Sequence, residues 1–132
     1  MIYVLDTNTC IRFLNGQSEV IRRRIESLRP ENLAVCSVVK AELLYGAVKS
    51  AKPNENLAKL TRFFEPFLSL PFDDSAADVY SRIRARLERS GTPIGPNDLL
   101  IAAIALSRGA VLVTHNLREF ERIEGLSLED WE

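Results

Sequence analysis

Met1-Ile2-Tyr3-Val4-Leu5-Asp6-Thr7-Asn8 is the stretch that decides the fold. Its apolar run up to Leu5 has no polar alternation, the pattern of a strand buried on both faces, as in a parallel sheet covered by helices. Such a strand carries Asp6 to its carboxyl-terminal edge, where open α/β sheets place their chemistry. Asp6-Thr7-Asn8 then caps a short helix that runs through Leu14 and is stopped by Asn15-Gly16.

Outward from this start, strands and helices alternate. Ser18 to Leu28 reads as a helix ended by Arg29-Pro30, and Leu33-Ala34-Val35-Cys36 as a second buried strand. Ser37 is expected to cap a helix with Val38, Ala41, Leu44 or Tyr45, and Val48 on its apolar face, and Glu42 one turn inside. Pro53 to Phe67 is amphipathic. Leu68 to Phe72 reads as a strand demoted to a sheet edge by Pro71. Asp73 or Asp74 caps a long helix closed by Ser90-Gly91. Pro96, Asn97 and Asp98 open a helix that is apolar nearly all round up to Gly109, hence buried on the sheet. Ala110 to Thr114 is a strand, Leu117 to Glu121 a short helix, and Leu126 to Leu128 a last edge strand. The expectation is an α/β protein with a central parallel sheet, folded as one domain over residues 1–132.

Asp6, Glu42 and Asp98 each sit where a strand or helix is expected to turn them toward a shared pocket. Taken singly, Asp6 reads as an N-cap, Glu42 as a solvated helix residue and Asp98 as an acid favoured by the helix dipole. Taken together they would repel one another without a cation, and all-oxygen donors suit Mg2+ or Mn2+. His115 is the only histidine, which excludes a pair of catalytic histidines. Neither a GxSxG elbow nor a phosphate-binding glycine-rich loop is present. A receiver-like phosphoacceptor would need an aspartate and a lysine after later strands, which Val35-Cys36-Ser37 and Val113-Thr114-His115 do not supply.

Asp6-Thr7-Asn8, the helix opening from Ser37 to Glu42, Pro96-Asn97-Asp98-Leu99-Leu100-Ile101-Ala102-Ala103 and Val113-Thr114-His115-Asn116 together resemble the PIN-domain ribonucleases, specifically the VapC-like toxins of bacterial toxin-antitoxin pairs. The resemblance extends from Met1 to Glu129-Asp130-Trp131. It implies a three-layer α/β/α domain, and a metal-dependent endoribonuclease in which Asp6, Glu42 and Asp98 hold Mg2+ or Mn2+. Water would then attack the phosphodiester, leaving a 5′-phosphate and a 3′-hydroxyl. It further implies RNA in single-stranded or loop form as substrate, a cognate antitoxin whose tail covers the cleft, a homodimer and a larger toxin-antitoxin complex. Likeness to one VapC subgroup extends this to tRNA, at the anticodon loop of the initiator. The alternative class is a non-catalytic module of the same fold that binds RNA or protein.

Many PIN domains carry a fourth acid just after the penultimate strand, where this chain has Asn116, a neutral amide that can orient water or a carboxylate but adds no charge. Thr114 is expected to hydrogen-bond Asp6, with Thr7 and Asn8 supporting the same group. A net charge of -1 gives no general basic field for nucleic acid. RNA contacts are therefore expected from local patches: Arg82, Arg86 and Arg89 on one helix face, and Lys40 and Lys49 near Glu42. Cys10 and Cys36 lack metal or redox spacing and read as packing residues. No membrane span or secretory leader is visible, and the expected location is the cytoplasm.

Overall fold

The computed structural model describes residues 1–132. β1 (Tyr3–Leu5) leads into α1 (Thr7–Leu14) and α2 (Glu19–Ser27), followed by β2 (Leu33–Cys36). α3 (Ser37–Val48) and α4 (Pro53–Phe64) precede β3 (Leu68–Leu70). α5 (Asp74–Arg89) and α6 (Pro96–Ser107) precede β4 (Val111–Val113), and α7 (Leu117–Phe120) precedes β5 (Ser127–Glu129).

The five strands lie in the order β3-β2-β1-β4-β5 and every pairing is parallel. Tyr3 stands between Leu33 and Val111, so β1 is central. The chain steps away from β1 in one direction through β2 and β3, then returns to its other side through β4 and β5. With right-handed crossovers, the earlier helices cover one face and the later ones the other. The direction reverses between β1 and β4, which opens a crevice at their carboxyl ends. Asp6 follows β1 at that point, and its backbone N–H reaches across to the Val113 carbonyl at 3.1 Å.

Burial follows the sequence pattern in most elements. All of β2 and β4 is buried, as are Val4 and Leu5 of β1. α6 buries Leu99 and the run from Ile101 to Ala105, whose alanines let it sit close to its neighbours. Cys10 and Cys36 are buried free thiols, and burial pushes both above the ordinary thiol range. None of the helices is long and apolar enough to cross a membrane.

α3 departs from expectation. Its buried face is Val39, Leu43 and Ala47, whereas Tyr45 and Val48 are 65% and 60% exposed. The helix carries apolar residues on every side, so spacing alone does not choose a face, and the exit from β2 sets its rotation. Ser37 is the first helical residue, not the cap, and its hydroxyl accepts the Phe72 N–H at 3.3 Å, tying α3 to the end of β3.

Candidate functional site

Asp6 performs two tasks. Its Oδ1 accepts the Thr9 N–H at 2.9 Å as the N-cap of α1, which fixes the carboxylate's orientation. The other oxygen is left for the cleft, although the residue is only 7% exposed. Asp98 occupies the first turn of α6 and is half-buried. Glu42 is partly buried on α3 and lines a cleft with Asn97 and Leu100 of α6.

Glu119 is a fourth acid of this site that the sequence reading missed. Its Oε1 accepts the Gly95 N–H at 2.8 Å, and its Oε2 accepts from Asn116 Nδ2 at 2.6 Å. A Cβ on Gly95 would lie 3.6 Å from Glu119 Oε1 and 3.7 Å from Asp98 Oδ2, so both carboxylates flank the same backbone position. The signal was present: Glu119 lies three residues after Asn116 on a short helix, a spacing that brings side chains to one face. The acid expected at position 116 comes instead from the next turn, and Asn116 holds it.

Electrostatics tie the four acids together. The Asp98 carboxyl is pushed up to about 6 by burial first, then by the charge of Glu119 and a hydrogen bond to it, and then by Asp6 and Glu42. A position in a helix first turn favours the ionised form by only about 0.3–1 kcal/mol, which burial and three like charges outweigh. None of Asp6, Glu42, Asp98 and Glu119 is paired with a lysine, arginine or histidine, although most other acids of this chain are. Their oxygens do not all converge to contact. The trio with ligand atoms within 4.8 Å of one another is His115, Asp130 and Glu132. Unneutralised carboxylates at a looser spacing suit a hard cation that keeps several waters, as Mg2+ does. The Thr7 hydroxyl, buried with no protein partner, fits the same reading.

The shift of Asp98 sets a pH dependence. Its folded pKa lies above its unfolded one, so the native state binds more protons between about pH 4 and pH 6. Stability in chelator is therefore expected to fall as pH rises through that window, by about 1–2 kcal/mol after discounting for solvent screening at a half-buried group. Urea unfolding at a series of pH values measures this, and millimolar Mg2+ is expected to restore the loss. A stability that rises monotonically to neutral pH, unaffected by Mg2+, would contradict the clustering.

The supporting residues divide. Asn8 and Asn116 line a cleft with Asp6. Thr114 is fully buried, but its hydroxyl accepts the Asn116 N–H at 3.0 Å and makes no bond to Asp6. It shapes the turn that carries Asn116, because a hydroxyl two residues before an N–H closes a local ring. Members of the basic patches already meet neighbours, the arginines through exposed ion pairs. Arg82 bonds Asp78 at 3.1 Å, Arg86 bonds Glu124 at 2.9 Å, and Lys40 donates to Ser69 at 2.9 Å beside the Phe64 ring. None of these three lines the clefts flanking the acids. Arg12, which was not singled out, lines the one beside Asp6.

A PIN domain family model matches residues 3–126. The chain is 47% identical to the tRNA(fMet)-specific endonuclease VapC of Salmonella typhimurium, over 98% of this chain and 97% of that protein. It is 41% identical to the ribonuclease VapC2 of Rickettsia felis, over 100% and 99%. Among solved structures, the DNA-bound VapBC of Salmonella typhimurium aligns with a TM-score of 0.94 at 46% identity, covering 100% of this chain and 99% of the other. VapBC2 of Rickettsia felis, bound to a DNA fragment from its promoter, aligns at 0.93 over the full length of both chains.

Proposed function

Since this chain belongs to the PIN-domain family, in its VapC branch, we propose that it is the endoribonuclease toxin of a toxin-antitoxin pair and hydrolyses phosphodiester bonds with a divalent cation. The observation that carries this reading is the set of four acids without a cationic partner at the crevice between β1 and β4, with Asp98 raised by burial and then by its acidic neighbours. Asp6, Glu42, Asp98 and Glu119 would hold Mg2+ or Mn2+. When bound, such a cation activates water and steadies the charge on the leaving oxygen.

The chain's own residues perform the positioning. The α1 cap fixes Asp6, and the Gly95 N–H and the Asn116 amide fix Glu119. Asn116 is therefore an orienting group, with Thr114 holding its backbone. Water and phosphate would enter through the cleft beside Asp6, and a single strand or loop, whose phosphates can be splayed into such a cleft, is the substrate form we assign. We assign the whole chain to one PIN-like unit acting in the cytoplasm. The name of a relative supports initiator tRNA as substrate, and the VapBC complexes support an antitoxin partner; we extend this to cleavage in the anticodon loop and to a homodimer within the larger complex.

The test is incubation of purified protein with total RNA in Mg2+, followed by mapping of new ends. Cleavage abolished by chelator, with 3′-hydroxyl ends concentrated in one tRNA loop, is expected. Ends bearing 2′,3′-cyclic phosphate would show attack by the RNA hydroxyl instead and would contradict the reading. Co-expression of the adjacent gene is expected to suppress both cleavage and toxicity.

A further inference from the structure

The cleft beside Asp6 has a second wall, of which the acid site uses only Asn8 and Asn116. Asn8, Arg12, Gln17, His115 and Asn116 line it, all residues that donate hydrogen bonds, together with Glu132. The Glu132 carboxylate bridges two of them: one oxygen pairs with Arg12 Nε, and the other lies 3.4 Å from His115 Nδ1. Asp130 holds the same ring nitrogen at 3.0 Å and so sets the ring's orientation. Only 16% of the Glu132 side chain is exposed, against 69% of His115.

Glu132 is brought there by its neighbour. Trp131 is 5% exposed, its ring lies 5.6 Å from Tyr3 of β1, and the Arg24 guanidinium sits 4.9 Å over it. This anchor places the next residue against α1. The result is an anion seat formed by a guanidinium and an imidazole and filled by the protein's own carboxylate.

We propose that Arg12 and His115 form a binding subsite for an RNA phosphate adjacent to the scissile one, and that Glu132 occupies this subsite as a resident competitor. The proposal rests on the ribonuclease reading above. A phosphodiester resembles the carboxylate in presenting two equivalent oxygens that share one negative charge, and a guanidinium pairs with either. Arg12 lies six residues beyond Asp6 on α1, about 9 Å along the helix, within reach of a neighbouring phosphate on one strand. RNA entering the cleft displaces Glu132 from Arg12, so the net affinity is the difference between two anions for one seat. Arg12 and His115 are positioning residues: they hold the strand while the acids act on the next linkage.

The experiment is binding of a fluorescein-labelled single-stranded RNA oligonucleotide, followed by anisotropy in chelator so that no cleavage occurs. Arg12→Ala is expected to weaken binding about tenfold, as for loss of one charge-assisted contact, and to reduce the salt slope of log K by about 0.7. Arg12→Lys keeps the charge and is expected to retain most of that slope. Glu132→Gln is expected to tighten binding about threefold or more, a gain that a destabilised variant would not show. Arg22→Ala, which removes an exposed arginine paired with Glu19 and Glu26 within α2, is the control and is expected to change neither quantity.

Unchanged or weaker binding in Glu132→Gln, equal losses in Arg12→Ala and Arg22→Ala, or no measurable binding by any form would overturn the subsite. Failure of the ribonuclease reading shows separately, as wild-type protein that binds the oligonucleotide with this same pattern yet never cleaves RNA in Mg2+.

Discussion

Asp98→Asn is expected to abolish RNA cleavage while raising the melting temperature of the protein in chelator at neutral pH. The loss follows from removing a carboxylate proposed to hold the cation: even the outer partners of metal ligands cost roughly 10- to 100-fold when lost, so activity should fall by more than about a hundredfold. The gain follows from the same charge. Above pH 6 the native Asp98 is ionised among Glu119, Asp6 and Glu42, which the unfolded chain does not suffer. Asparagine removes that repulsion, worth about 1–2 kcal/mol after screening, or roughly 3–8 °C for a chain of this size. Its loss of a favourable first-turn interaction, about 0.3–1 kcal/mol, is the smaller effect. Thermal unfolding in chelator and gel-based cleavage in Mg2+ measure the two sides. A variant both inactive and less stable in chelator would indicate that Asp98 is a structural cap and not a member of a repelling cluster.

Glu119→Gln is expected to weaken Mn2+ binding by roughly 10- to 100-fold and to return the Asp98 carboxyl toward its ordinary range. Glu119 is the largest charged contributor to the Asp98 shift, after burial. Asn116→Ala, which removes only the amide that orients Glu119, is expected to cost several-fold less. Titration calorimetry reads the affinity, and carbonyl-carbon NMR across the acidic range reads the Asp98 midpoint. An Asn116→Ala effect as large as that of Glu119→Gln would make the amide itself a ligand. An unmoved Asp98 midpoint in Glu119→Gln would leave Glu119 outside the site.

Much of this site was legible because its residues sit at element junctions. Asp6 follows an unbroken apolar run and Asp98 follows a helix-opening proline, and the order of motifs gave the PIN resemblance that the family match bears out. Burial in a parallel sheet also made β1, β2 and β4 plain, since strands covered on both faces need no alternation. What failed was decided by tertiary packing. α3 is apolar all round, so its buried face depends on how β2 releases the chain. Glu119 looked like one more charge on a short helix until Gly95, distant in sequence, supplied its N–H. The ion pairs that Arg82 and Arg86 make with Asp78 and Glu124 were likewise not legible beforehand. The seat at Arg12 depends on Glu132, which lies at the far end of the chain and is brought there by the burial of Trp131.

The most direct test of the account is a crystal structure grown with Mn2+, with the anomalous signal located. A peak among the carboxylate oxygens of Asp6, Glu42, Asp98 and Glu119, lost in Asp98→Asn, is the expected result. A peak confined to the His115, Asp130 and Glu132 trio, the one group whose ligand atoms already approach one another, would place the cation elsewhere and contradict it.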